Sequence, residues 1–348
     1  MESAERLLDI ATNVTTLADD KITRIHGITR RSRMLALNAA IEAHRFGTVG
    51  KGFAVVADEV KAISSEISEL ASSLQGELRG RLQHMSSFAS ELNGEVISLR
   101  GARLADLAFN AIELVDRNLY ERSCDVRWWA TDSAVVEALA ADADDHTHRH
   151  TRRHASQRLG VILDSYTVYL DLWVADAQGK VVATGRPGRF PRALGVDVSR
   201  ESWFREAMAT KDGGSFAVAD IARVGTLDNA VAATYATAIR QGGEVDGKAI
   251  GVLGIFFDWD TQARGIVEGV RLSAQEKNRT RCLLLDSRHR VIACSDGSLE
   301  LGSSYGLKTG GRPHGYYHDG DLTVGYALTP GYETYKGLGW FGVIEQKN

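Results

Sequence analysis

The sequence predicts an α+β protein: a long antiparallel helical coiled-coil hairpin followed by two antiparallel-sheet modules on a long helix. Three observations lead there. All four prolines and all six tryptophans lie after residue 127, and the first hundred residues hold only seven of the 35 glycines, so long helices there meet few breaks. Apolar residues recur at helical spacing to about Val136. From Tyr169 onward they give way to short apolar runs separated by Gly- and Asp-rich turns.

The first arm carries a loose stripe of Leu7, Ile10, Val14, Leu17, Ile25, Ile28, Leu35 and Ile41, and ends at Phe46-Gly47-Thr48-Val49-Gly50-Lys51-Gly52. Three glycines so close together make positive φ inexpensive, which predicts a turn at 46–52. After it, Phe53, Val56, Val60, Ile63, Ile67, Leu70 and Leu74 alternate steps of three and four, the spacing of a coiled-coil seam. The run Leu70, Leu74, Leu78, Leu82 reads as a stutter before the pattern resumes at Met85, Leu92, Val96 and Leu99. Arms of about 45 residues would be ~70 Å long and far longer than wide, which predicts a partner hairpin and a homodimer.

Helical spacing continues through Leu104, Leu107, Ile112, Val115 and Leu119 into Trp128-Trp129. A polar stretch (143–153) and a short helix to Tyr166 precede the first predicted strands, a hairpin over 169–183 around Asp176-Ala177-Gln178-Gly179. Segments 215–224, 231–240 and 248–257 supply three more strands. Cys282–Asp286 and Val291–Cys294 form a second hairpin, and 316–329 and 336–345 complete the sheet. The predicted division is 1–99, 100–275 and 276–348.

Composition narrows the function. The 348 residues allow two or three domains, and 41 Lys+Arg against 45 Asp+Glu, net −4, call for no nucleic-acid or acidic-membrane partner. The chain shows no apolar run near the roughly 18–20 residues of a membrane span, and Met1–Arg6 lacks a secretory signal pattern. Cys124, Cys282 and Cys294 have no CxxC spacing, which suits reduced, buried thiols; the expected location is cytoplasmic. Motifs of nucleotide binding, zinc proteolysis or a G-x-S-x-G nucleophile are not found, so no enzyme and no cofactor are predicted. His146, His150 and His154 have i, i+4 spacing, yet interleaved arginines favour a solvated surface over a metal site.

Met34-Leu35-Ala36-Leu37-Asn38-Ala39-Ala40-Ile41-Glu42-Ala43-His44-Arg45 and, past the turn, Gly50-Lys51-Gly52-Phe53-Ala54-Val55-Val56-Ala57-Asp58-Glu59-Val60 resemble the signalling tip of methyl-accepting chemotaxis proteins. Two blocks match in register across a turn. The resemblance implies a tip that packs hairpin against hairpin through Leu37, Asn38, Ile41, Glu42 and Arg45, with a chemotaxis histidine kinase and its coupling protein as partners. Departures stand beside it: Arg31-Ser32-Arg33, preceded by Arg30, replaces the family's Gln-Thr-Asn run, Thr48 stands at an acidic position, and no methylation segment is evident.

Residues 100–348 resemble a double Cache sensor, two PAS-like modules on one long helix. The segment Gly195–Ala207 is similar to the ligand-binding run of Cache domains that take amino acids, keeping Trp203 but carrying Phe204 for Tyr and Glu201 for the carboxylate-binding Arg. Asp220 and Asp258 fall near the family's two Asp positions, with Tyr235 and Trp173 as further wall residues. Without the guanidinium, two carboxylates beside an aromatic wall suit an amine or nucleobase-like heterocycle better than an α-amino acid. The alternative is that these aromatics are core and the aspartates end strands or cap turns. Two functional expectations follow: a chemoreceptor-like transducer that senses a small molecule, and a ligand-free assembly protein that docks with chemoreceptor arrays.

Overall fold

The computed structural model describes residues 2–140 and 145–348. The Leu7 side chain and residues 143 and 144 of the polar stretch lie outside the description. The architecture is α+β, with two compact units, Met1–Arg100 and Gly101–Asn348.

The first unit is a hairpin. Helix α1 (Glu2–Arg45) leads through a short 3-10 turn (Gly47–Gly50) into α2 (Lys51–Trp129). Apart from Ile22, the contact between the arms is made of small residues. Ile22, Thr29, Ala36 and Ala43 are buried at seven-residue intervals on α1, and Ala57, Ser64 and Ala71 at the same interval on α2, a heptad seam that lets the backbones approach closely. Gln75 and Arg79 tie the arms together by donating to the two carboxylate oxygens of Asp19 at 2.7 and 2.9 Å.

The large apolar residues expected to form the seam point elsewhere. Val56, Val60, Ile63, Ile67, Leu70 and Leu74, with Ile10, Val14, Leu17, Ile28 and Leu35 of the first arm, are all exposed. A three-four pattern does not say whether small or large residues meet inside one hairpin, and here the small ones do.

In the second unit the remainder of α2 is followed by α3 (Ser133–Glu137) and α4 (Asp145–Ser165). The strands β1 (Tyr169–Asp176) and β2 (Val181–Thr184), helix α5 (Ser202–Met208), and β3 (Ala217–Val218), β4 (Ala222–Val224), β5 (Ala230–Arg240) and β6 (Ala249–Asp258) follow. They build an antiparallel sheet of order β2-β1-β6-β5-β3, with β4 also on β5. Helices α6 (Trp259–Glu268) and α7 (Ala274–Lys277) lead to β7 (Thr280–Leu285), β8 (Val291–Cys294), β9 (His314–Asp319), β10 (Leu322–Leu328) and β11 (Phe341–Lys347), ordered β8-β7-β11-β10-β9. The single strand expected over 316–329 is a hairpin, turned at Gly320 with φ +58°.

One core joins both sheets to the long helix. Leu104, Ala108, Ile112, Val115, Leu119, Val126 and Trp129 of α2 pack with Leu172, Tyr235 and Ile255 of the first sheet and with Cys282, Leu284 and Ile344 of the second. The helix passes tightly over the second sheet. A Cβ on Gly325 would fall 2.3 Å from the Leu104 carbonyl carbon, and one on Gly342 would fall 2.3 Å from the Ala108 carbonyl oxygen. Of the tryptophan pair, Trp129 is buried edge-on to Tyr166 and Tyr169, whereas Trp128 is 68% exposed.

Candidate ligand face and signalling tip

The far side of the first sheet holds the candidate ligand face. Trp173 on β1 and Phe256 on β6 lie with ring centroids 4.2 Å apart, and Trp203 of α5 sits edge-on to Phe256 at 5.8 Å. Gly254 makes room for this. It lies opposite Trp173 in register, and its missing Cβ would stand 3.0 Å from the Trp203 ring. Phe204, Phe190 and Leu170 complete a buried cluster. The structure thus brings Trp173, Trp203 and Phe204 together in one buried cluster.

Three of the expected residues do not join them. Tyr235 points through the opposite face of the sheet into the shared core, where its hydroxyl meets that of Tyr335 at 2.8 Å. Alternation along β5 decides this, since Ala236 faces the aromatic cluster and its neighbour must face away. Asp258 ends β6 and caps α6, accepting from the Thr261 amide at 3.3 Å and the Thr261 hydroxyl at 2.8 Å. Asp220 is exposed and accepts from Arg290 of the second module at 3.2 Å. The two carboxylates expected to hold a cationic ligand therefore have structural partners, Asp258 as the cap of α6 and Asp220 in an exposed ion pair.

A residue the sequence reading passed over is Asp171, fully buried on β1. Its Oδ1 accepts from the amides of Leu172, Gly185 and Arg186 at 2.8, 3.0 and 2.9 Å, and its Oδ2 from the Trp173 indole at 2.9 Å. Burial raises its pKa, and these four donors oppose the rise. The carboxylate fixes the Trp173 ring and the chain leaving β2. A signal was present in the sequence: an acid inside an apolar strand needs several donors to stay there. Thr184, paired with Trp173 across β1 and β2, has a buried hydroxyl with no partner.

At the other end of the chain, Leu37, Asn38, Ile41, Glu42 and Arg45 are all exposed on α1, and Arg45 pairs with Glu42 at 3.3 Å. An apolar groove of about 550 Å3 opens beside them, lined by Leu35, Ala39, Glu42, Phe46, Val49, Phe53, Val56 and Val60 among others. Of the nearby arginines, Arg33 donates to Ser65 at 2.7 Å and Arg31 to the Gly27 carbonyl. Among the described residues none of Arg30, Arg31 and Arg33 pairs with a carboxylate.

The histidines of α4 lie on its surface, with His146, His150 and His154 exposed. Among the described residues no group of three or more His, Cys, Asp or Glu is placed to hold a metal ion. The three cysteines are free thiols. Only Cys282 is fully buried, which pushes its pKa up to about 12; Cys124 and Cys294 are half-buried, and the Cys294 thiol donates to Asp296 at 2.9 Å. No helix among the described residues is long and apolar enough to cross a membrane.

Comparison with known proteins agrees with this geometry. The family model of the methyl-accepting chemotaxis protein (MCP) signalling domain matches residues 3–94. Methyl-accepting chemotaxis protein McpA of Pseudomonas putida is 35% identical over 156 residues, covering 40% of this chain and 23% of that protein. McpC of Bacillus subtilis is 40% identical over 96 residues, 26% of this chain and 14% of that protein. The chain thus spans less than a quarter of either relative. The second unit is similar in fold to the sensory domain of the Campylobacter jejuni chemoreceptor Tlp3, with TM-score 0.52 and 16% identity over 71% of this chain and 92% of that one. It is also similar to the ligand-binding domain of the Pseudomonas aeruginosa chemoreceptor PctC, solved with GABA, with TM-score 0.50 and 13% identity over 71% and 99%. The chain therefore matches the methyl-accepting chemotaxis protein signalling domain over residues 3–94 and continues into a second unit of Cache-like fold.

Proposed function

We propose that this protein is a chemoreceptor-like signal transducer in which a small molecule at the first sheet module changes the state of the hairpin, and the hairpin acts on a chemotaxis histidine kinase through its coupling protein. The observation that carries this reading is α2, one helix that is both the second arm of the hairpin and the spine on which both sheets pack. A ligand that prefers one packing of sheet on helix needs no other connection to bias the tip. The exposed apolar stripe of both arms supports a homodimer, since a partner hairpin would remove it from water. Leu37, Asn38, Ile41, Glu42 and Arg45 are the residues we assign to contacts between hairpins, and a kinase of the cytoplasm would set the protein's location there.

The ligand face supports an aromatic-lined site that opens on binding. Trp173, Trp203 and Phe256 fill it, Asp171 is committed to its four donors, and the Thr184 hydroxyl is the polar group left free. Glu201 is exposed at the start of α5 with no capping bond, so no guanidinium stands two residues before Trp203 to take a carboxylate. A flat heterocycle or an amine suits these rings better than an α-amino acid. Related sensory domains solved with isoleucine and with GABA make both compounds necessary members of any screen.

A second reading, a ligand-free assembly protein docking with receptor arrays, is favoured by that same filled face. Thermal-shift measurement against amines, nucleobases, amino acids and GABA separates the two, since a ligand at 100 times its Kd adds about 2.7 kcal/mol. Stabilisation by an amine or base that Trp203→Ala removes supports the sensor, and a carboxylate ligand overturns the preference for cations. No shift across the panel, with kinase activity in a reconstituted array still altered by the protein, supports assembly.

A further inference from the structure

Strand β5 ends at Arg240, which is only 7% exposed. Its guanidinium donates to the Gly247 carbonyl at 2.9 Å and to the carbonyl and hydroxyl oxygens of Thr210. These acceptors are all neutral, and the buried Nε has no partner at all. Among the described residues no carboxylate pairs with Arg240. An arginine keeps its charge inside a protein, and a buried charge with no counter-ion is costly.

A cavity of about 40 Å3 adjoins it, lined by Arg127, Thr131, Gly213, Thr237, Arg240 and Glu244 among others. Arg127 brings a second guanidinium. It donates to the Ser123 carbonyl at 2.7 Å and the Gly214 carbonyl at 3.3 Å, and lies 5.5 Å from the centroid of the Phe216 ring. Its position in the last turn of α2 suits a cation, because the helix carbonyls end there; Arg240, on a strand, has no such support. Glu244, the acid of the lining, is exposed and pairs with neither arginine among the described residues. A water needs about 10–15 Å3 of such space, so the cavity takes a group the size of a small oxyanion.

We propose that this cavity binds a small oxyanion, a carboxylate or an inorganic anion such as phosphate, between Arg240 and Arg127. The anion supplies both the acceptor that Nε lacks and the charge that the neutral carbonyls leave unanswered, and guanidinium groups match oxyanions in geometry as well as in sign. Water fills such a space without answering the charge. With Arg127 on α2, Arg240 on β5 and Glu244 in the β5–β6 connection all lining the cavity, a bound anion ties the end of the long helix to the end of the sheet. The cavity shares no residue with the aromatic cluster of Trp173, Trp203 and Phe256. The site is therefore additional to the ligand face proposed above and does not depend on that face being occupied.

Titration of the full chain with sodium acetate, phosphate and sulfate, at an ionic strength held constant with sodium chloride, tests this. The Arg240 Nε–H resonance should shift downfield along a saturating curve, and the melting temperature should rise along the same curve. Arg127→Gln should weaken the binding about tenfold or more, the effect of losing one charge-assisted hydrogen bond. Arg240→Gln should abolish both responses; if that variant does not fold, Arg127, which is half-buried, carries the test through its own variant. Saturation by acetate alone supports the site and assigns it to organic acids, and saturation by phosphate or sulfate supports it and assigns it to inorganic anions. A melting temperature that climbs without saturating is the general stabilisation that sulfate and phosphate give any protein. That result, an unmoved Arg240 Nε–H, or equal affinity in Arg127→Gln overturns the proposal.

Discussion

The hydroxyls of Tyr235 and Tyr335 lie 2.8 Å apart in the core, joining the first sheet to the β10–β11 connection of the second module. They are the polar point in an otherwise apolar contact: Phe216 stacks near both rings, with centroids 6.0 and 6.5 Å away. Burial raises the pKa of both phenols, and the contact adds to the rise at Tyr235 while opposing it at Tyr335, so the bond persists through the physiological range. Tyr235→Phe leaves the Tyr335 hydroxyl buried without that partner and should cost about 1–3 kcal/mol in chemical denaturation. The double change to Phe should cost less than the sum of the two single changes, and additive costs would show that the pair is not coupled.

The hairpin seam makes a sharper distinction. Ala36 and Ala57 are buried between the arms, whereas Leu70 is 70% exposed. Ala57→Leu overpacks the seam and should destabilise the isolated hairpin contact by about 1–3 kcal/mol, read as a lower midpoint in helical circular dichroism. Leu70→Ala should leave that midpoint nearly unchanged at low concentration and weaken self-association in sedimentation. The reverse pattern would place the large residues inside the hairpin and the small ones outside.

Asp171 holds the ligand face open to a test of its own. Asp171→Ala removes the acceptor of three amides and the Trp173 indole, all but the Arg186 amide buried, and should cost about 3–5 kcal/mol, as removal of a buried charged partner does. Its second effect is on Trp173, whose emission should shift and broaden as the ring loses its fixed position. Asp171→Asn keeps some of the acceptors and should fall between the two. Unchanged fluorescence in Asp171→Ala would mean that Phe256 and Trp203 alone fix the indole.

What the sequence made legible was periodic and local. The turn at 46–52, the helical run from Phe53 to Trp129 and the hairpin at Asp176–Lys180 all announced themselves through spacing and turn residues. Tyr235 could not be assigned in the same way. Every residue of β5 after Ala230 is buried, so alternation of polarity, the usual guide to which face a strand residue takes, is missing. Asp258 carried two readings, ligand and cap. The Asp-Trp-Asp-Thr run at a strand end favours the cap, because a side chain there satisfies amides that the helix leaves free. Asp116 had a plainer signal, a lone acid on the stripe of Ile112, Val115 and Leu119, but the amide it accepts from, Gly331, lies more than two hundred residues away in the chain.

Glu276 carries a pH-dependent contact, which gives a further prediction. Its carboxylate pairs with Arg103 of α2 and accepts from the Ser273 amide at 2.8 Å in a capping box at the start of α7. The Arg103 bond, the largest cause, holds its pKa down to about 2 from an ordinary 4.5. An acid lowered in the folded state contributes stability that is present above the unfolded value and lost as pH falls through the folded one. The window is therefore about pH 4.5 to 2. Arg103→Gln removes the guanidinium and should flatten the loss of stability across that window, measured by urea denaturation at intervals between pH 2 and 5, while leaving the region above pH 5 unchanged. Equal slopes in variant and unsubstituted protein would mean that solvent screens the pair and that α7 is held to α2 by packing instead.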